Sequence, residues 1–216
     1  FHWIRLHYLY PEWIDDRLID VIAREDKILK YLDIPLQHCN DKILKKMNRR
    51  GDKKYLCALL DKLRERIPGL VLRTSIIAGL PGEGEEEFDE LCDFLREQKL
   101  LRAGVFPYSP EEGTRAAKME RVDSDEAARR AERIVDIQSE IIDAWNDERQ
   151  GDVMEVLCEG FDGQSMLFVG RSYAESPDID GRIYFSAPRD VAAGEFVPVR
   201  ITGAMDGELT GELAEE

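Results

Sequence analysis

The chain has 216 residues, 43% of them hydrophobic and 35% charged, with a formal net charge of −15. That supplies enough apolar material for a packed core in one large or two smaller domains, and no apolar run approaches the length of a membrane span. Four cysteines, none at metal-ligand spacing from another, exclude a disulfide framework and point to a reducing, cytoplasmic setting. From position 151 onward there are four basic and fourteen acidic residues and no lysine. A surface of that sign repels phosphate backbones and attracts basic partners.

The start, Phe1–Pro11, shows no basic stretch followed by an apolar block, so no signal segment is read there. It reads instead as a strand already under way, as expected for part of a longer protein. Ile4–Tyr10 is rich in β-branched and aromatic residues and ends at Pro11. Ile14, Leu18, Val21 and Ile22 then recur at helical spacing. Tyr31–Leu36 is a short apolar run. Ile43, Leu44 and Met47 mark a short helix, and Tyr55, Leu56, Leu59, Leu60 and Leu63 mark another. Leu70–Ala78 is a second strong apolar run, Glu85–Gln98 a helix with Phe88, Leu91, Phe94 and Leu95 on one side, and Ala103–Phe106 a fourth strand. Strands alternating with helices predict a parallel sheet with helical crossovers.

Asp123 to Gln150 is the clearest helix, with a D-x-x-E start at Asp123 and Glu126 and a glycine stop at Gly151. After Gly151 the texture changes. Val153–Leu157, Met166–Gly170, Gly181–Phe185, Phe196–Ile201 and Glu208–Gly211 are short segments separated by Gly, Pro, Asp and Ser. Five such strands predict a small antiparallel barrel of OB-like type. The expected fold class is therefore α/β over residues 1–150, including the linking helix, followed by a β-barrel domain over 151–216.

In parallel α/β architectures functional groups collect where strands end. Those ends read Tyr8–Pro11, Pro35–His38, Gly79–Glu83 and Phe106–Ser109. Gln37 and His38 offer donors and acceptors that suit a ribose or a carboxylate; a loop-capping pair is the plainer reading. Gly79–Glu83 permits a tight turn and close approach to a ligand. It is not a phosphate loop, because no Lys-Ser/Thr follows and Glu83, Glu85, Glu86 and Glu87 stand at the next helix start, where they satisfy its dipole. Arg73 interrupts an apolar strand, so it either faces a polar pocket, where it could fork onto a ligand carboxylate, or points outward between helices. Lys45, Lys46, Arg49, Arg50, Lys53 and Lys54 form the one basic cluster, consistent with an RNA contact or with a solvated helix end. Each of Cys39, Cys57, Cys92 and Cys158 reads as a small buried hydrophobe.

Four strings in order carry a resemblance: Tyr31-Leu-Asp-Ile-Pro-Leu-Gln-His38, Lys46-Met-Asn-Arg-Arg-Gly51, Leu72-Arg-Thr-Ser-Ile-Ile-Ala-Gly-Leu-Pro-Gly-Glu83 and Gly104-Val-Phe-Pro-Tyr-Ser-Pro-Glu-Glu-Gly-Thr114. Together they resemble the methylthiotransferase branch of the radical-SAM enzymes. Pro35-Leu-Gln-His38 and Gly170-Arg-Ser-Tyr-Ala-Glu-Ser-Pro-Asp-Ile-Asp-Gly181 resemble the RimO type rather than the tRNA-modifying MiaB type. The resemblance implies a partial (β/α) radical-SAM barrel followed by a TRAM domain. It implies S-adenosylmethionine and 4Fe–4S clusters as cofactors, a 5′-deoxyadenosyl radical, and methylthiolation of the β-carbon of an aspartate on ribosomal protein S-twelve. It places Gln37 and His38 near the ribose or substrate, Ile77 and Gly79 on the adenine side, Phe106 and Tyr108 at the last adenine contact, and Arg73 at the methionine carboxylate. It places Arg171, Ser172, Asp178 and Asp180 in the docking of the basic protein substrate. The C-x-x-x-C-x-x-C that would ligate the radical cluster is absent from these residues, so this chain alone is expected to hold neither cluster. Two other readings stand beside this one: a MiaB-like, tRNA-binding relative, which the acidic barrel disfavours, and a non-catalytic docking fragment.

Overall fold

The computed structural model describes residues 1–214 and divides into two compact units, Phe1–Ile141 and Ile142 onward. Among the described residues no helix is long and apolar enough to cross a membrane.

In the first unit the strands β1 (Ile4–Leu6), β2 (Ile28–Asp33), β3 (Val71–Ala78) and β4 (Arg102–Pro107) form one sheet in the order β1-β2-β3-β4, every neighbouring pair parallel. The crossovers are α1 (Asp16–Arg24), the pair α2 (Asp41–Lys46) and α3 (Lys53–Arg66), and α4 (Glu85–Gln98). Spatial order equal to chain order is the singly wound arrangement of a (β/α) barrel arc; a doubly wound sheet would reverse. Side-chain oxygens fix the helix starts. Asp15 accepts from the Leu18 N–H, Asp52 from the Tyr55 N–H and Asp123 from the Glu126 N–H, each at 2.8 Å.

Register gives the sheet two unlike faces, since residues side by side on parallel strands share a face and alternate along each strand. Leu6, Leu32 and Leu72 align across three strands, and Ile76 aligns with Val105. They join Leu60 and Leu63 of α3 and Leu91, Phe94 and Leu95 of α4 in one buried core. The other face carries Asp33, Arg73 and Arg102, aligned in that order. Two strands differ from their expected spans for local reasons. β1 ends at Leu6 rather than Tyr10, because Tyr8 takes a left-handed φ of 58° that breaks the ladder. β2 ends at Asp33 rather than Leu36, because Pro35 has no N–H to give to it.

Helix α5 (Ser124–Glu148) begins in the first unit, where Ala131, Ile134 and Ile137 enter the core, and ends in the second. There Trp145 packs against the barrel core and Asn146 donates to the Gly207 carbonyl at 3.0 Å.

The second unit closes β5 (Val153–Asp162), β6 (Leu167–Arg171), β7 (Ile183–Ser186), β8 (Phe196–Met205) and β9 (Glu208–Leu213) into a barrel in the order β5-β6-β7-β9-β8. All its pairings are antiparallel except β7 with β9, which is parallel. Closing the barrel brings two strands of the same direction together, because β8 intervenes between them in the chain. Val156, Cys158, Phe185, Val199 and Leu209 fill the interior. At Gly170 a Cβ would stand 2.5 Å from the Leu157 carbonyl oxygen of the paired strand, so the strands approach as only glycine permits. Gly170→Ala is expected to lower barrel stability by about 1–3 kcal/mol, read as an earlier midpoint in urea unfolding; an unchanged midpoint would show that the strands part at no cost.

Candidate cofactor rim and its supporting network

The C-terminal ends of β2, β3 and β4 lie side by side and form the rim. Beyond β2, Gln37 takes a left-handed φ of 62° and re-pairs with β3. Its N–H donates to the Ser75 carbonyl at 2.8 Å and its carbonyl accepts from the Ile77 N–H at 3.0 Å. Ile77 is in register with Phe106, whose ring is 54% exposed. The Tyr108 N–H continues the ladder to the Ala78 carbonyl at 2.8 Å. Gln37 thus pairs in register with Ile76, one residue off the Ile77–Phe106 pair, and its buried Oε1 has no hydrogen-bond partner among the described residues. An exposed aromatic residue beside an aliphatic side chain suits the planar base of S-adenosylmethionine.

Behind this rim lies a fully buried polar network. His38 Nδ1 accepts the Asn40 N–H at 3.0 Å, so its proton belongs on Nε2, which lies 3.3 Å from Glu83 Oε2. Glu83 Oε1 accepts from the Gly79 N–H at 2.9 Å and from Arg130 Nη1 of α5 at 2.8 Å. Arg130 also donates to the Glu83 carbonyl at 3.1 Å and through Nε to Glu126 at 2.9 Å, and its guanidinium lies over the Phe88 ring at 5.0 Å. Gly79 is glycine for two reasons: φ is +82°, and a Cβ would stand 2.6 Å from Ala127 Cβ in the first turn of α5. Burial pushes the Glu83 carboxyl upward, but the hydrogen bonds from His38, Arg130 and Gly79 outweigh it and hold the group below the ordinary value.

Deeper on the polar face, Arg73 Nη1 pairs with Asp33 Oδ1 at 3.0 Å, and His7 Nδ1 lies 3.6 Å from the other oxygen of Asp33. Of the two orientations open to Arg73, the register takes the one away from the helices.

The expected site residues therefore separate. Ile77 and Phe106 meet, with Tyr108 following on the ladder, while Gln37 pairs with Ile76. Gly79 faces α5, and His38 holds the rim from behind. In the barrel, Arg171 Nε binds Glu159 at 2.8 Å. Ser172 is buried, with its N–H and hydroxyl both donating to Glu175 Oε2 at 2.8 and 2.6 Å. Asp180 accepts the Ser176 N–H at 2.8 Å. Ser172 and Asp180 thus build the 171–182 loop, while Asp178 is exposed on it at φ 61°. Sequence reasoning missed Asp33, Arg130 and the buried role of Glu83. Arg130 carried one signal: it is a charge inside the apolar stripe Ala127, Ala131, Ile134.

The cysteines do not fit an iron–sulfur cluster. Cys39, Cys92 and Cys158 are buried separately, and burial raises each thiol's pKa. Among the described residues no group of three or more His, Cys, Asp or Glu is arranged to hold a metal ion.

Known proteins place this architecture. Residues 1–95 match the Radical SAM superfamily and residues 151–214 the TRAM domain. A solved radical-SAM enzyme, coproporphyrinogen III oxidase (HemN) from Escherichia coli, shares the fold with a TM-score of 0.53 at 21% identity, over 64% of this chain and 32% of its own. The class is thus a radical-SAM α/β unit joined to a TRAM barrel. Proteins named ribosomal protein uS12 methylthiotransferase RimO are 45% identical in Acetivibrio thermocellus (99% of this chain, 48% of the relative) and 47% identical in Pelotomaculum thermopropionicum (97% and 48%). The chain is thus similar to RimO-type methylthiotransferases through nearly its whole length and spans about half the length of these curated relatives.

Two outcomes are expected. Arg130→Met strands the buried Glu83 carboxylate and should cost about 3–5 kcal/mol in urea unfolding at neutral pH. Because the folded-state pKa of Glu83 is depressed, its stabilisation is present above the ordinary value of 4.5 and fades as pH falls through the lower folded value. Arg130→Met should flatten that acid limb, and a variant as stable and as acid-sensitive as the parent would remove the network from the account. Secondly, reconstitution of the 216-residue chain with iron and sulfide should give no stoichiometric 4Fe–4S absorbance; its appearance would mean the cysteines can assemble a site the structure does not present.

Proposed function

We propose that this chain is the cofactor-rim and substrate-docking part of a radical-SAM methylthiotransferase that modifies the β-carbon of an aspartate on ribosomal protein S-twelve in the cytosol. The reading is carried by the similarity to RimO-type proteins that runs through both units, 45% over 99% of the chain. We divide the two functions at Gly151, and a TRAM match over residues 151–214 supports that boundary.

In this reading Gln37, Ile77 and Phe106 hold the adenosyl group of S-adenosylmethionine, with Tyr108 closing the adenine side. Arg73, oriented by Asp33, receives the methionine carboxylate, a planar acceptor that matches a guanidinium fork. His38, Glu83, Arg130 and Gly79 position the rim and touch no substrate. When bound beside a reduced 4Fe–4S cluster, S-adenosylmethionine supplies a 5′-deoxyadenosyl radical for hydrogen abstraction. The cluster ligands belong, in this reading, to a portion of the protein that these residues do not include.

The barrel's excess of ten negative charges suits a basic ribosomal protein. In this reading Arg171, at the end of β6, and Asp178, exposed on the turn built by Ser172 and Asp180, meet it. Inactivating the gene in the organism that makes this protein should remove the methylthio group from the aspartate of ribosomal protein S-twelve, read by peptide mass spectrometry. Retention of that group, or loss of a methylthio group from tRNA instead, would refute the assignment.

A further inference from the structure

We infer that a patch bordering the rim, built from the α2–α3 segment and the aromatic turn after β1, is an RNA-binding surface. The cations come first. Within ten residues Lys45, Lys46, Arg50 and Lys54 are all exposed. Their neighbours Lys42 and Lys53 pair with Glu87 and Glu90 at 2.9 and 3.1 Å, whereas these four have no carboxylate partner among the described residues. Asp41 accepts the Lys53 N–H and Asp52 the Tyr55 N–H, both at 2.8 Å, and neither forms an ion pair with these four side chains. Residues 41–54 hold seven basic and two acidic side chains, a local excess of positive charge in a chain of net charge −15.

The aromatic groups are the second, independent observation. Tyr10 and Trp13 are 49% and 74% exposed, far beyond what packing requires of such side chains. They are fixed to the basic segment. The Arg49 guanidinium lies 5.3 Å over the Tyr10 ring and donates to the Pro35 carbonyl at 3.0 Å, and the Tyr55 hydroxyl donates to the Pro11 carbonyl at 3.0 Å. The Lys46 side chain lies against Gly82 of the loop after β3, so the patch borders the strand-end rim. Cations that track phosphates beside exposed rings that can stack on bases are the chemistry of single-stranded RNA recognition. The patch lacks the continuous amphipathic helix by which a basic segment lies on a lipid surface.

The inference rests on the patch itself and stands apart from the methylthiotransferase reading. The test uses the 216-residue chain and a fluorescently labelled single-stranded RNA of mixed sequence, with anisotropy measured from low to physiological salt. Four phosphate contacts predict a log–log salt slope of about −3, or about a 50-fold loss of affinity for a fourfold rise in salt. Lys45→Gln, Lys46→Gln, Arg50→Gln and Lys54→Gln combined should abolish most of the slope. These are exposed side chains whose removal leaves no buried partner, and circular dichroism checks that the variant is folded. Trp13→Ala should weaken binding about tenfold while leaving the slope intact. The inference is overturned by an absence of RNA binding, by binding that the four-fold variant leaves unchanged, or by sedimentation with phosphatidylserine vesicles in place of RNA.

Discussion

The buried Glu83 carboxylate is the group on which the site depends. It gathers the Gly79 N–H from the loop after β3, the His38 ring from the loop after β2, and the Arg130 guanidinium from α5. A carboxylate taken out of water loses several kcal/mol of hydration, and it is tolerated only when its lone pairs are met by donors and its charge by an opposite charge. Here Oε1 is met by Gly79 and Arg130 and Oε2 lies 3.3 Å from His38 Nε2, so three segments distant in the chain are tied to one point. The rim residues are direct neighbours of these ties: Gln37 precedes His38, and Ile77 lies two residues before Gly79. Fixing the network therefore fixes the backbone from which the rim side chains project.

The parallel sheet explains why a rim exists at all. One face is apolar and packed on helices, so it cannot face solvent or a polar ligand. The other carries Asp33, Arg73 and Arg102, charges that would be costly on the helix side. A polar ligand is thereby directed to one face and to the strand ends. Charge is then separated along the chain. Basic side chains concentrate in the α2–α3 segment, while acidic residues dominate after Gly151.

Much of this was legible in residue order. α4 was expected over Glu85–Gln98 and forms there, because Phe88, Leu91, Phe94 and Leu95 leave only one way to bury an apolar side. The five barrel segments were legible from their turn residues, though not the parallel pairing of β7 with β9, which arises only on closure. Glu83 shows the opposite case. Beside Glu85, Glu86 and Glu87 it read as one more acid at a helix start. Its actual partner, Arg130, is 47 positions away, and no local pattern joins them. His38 likewise reads as a strand-end functional group, yet it is buried, with Nδ1 accepting the Asn40 N–H and Nε2 3.3 Å from Glu83 Oε2.

By itself, then, the sequence determined the element types, the singly wound α/β order, the small barrel and the family resemblance, because these follow from hydrophobic period, turn chemistry and contiguous motifs. The tertiary structure alone decided which strand-end residues face outward, which are buried as supports, and that Arg73 shares a face with Asp33. Those outcomes depend on register and on pairings between segments far apart in the chain, and a one-residue change of register would exchange the two faces of a strand.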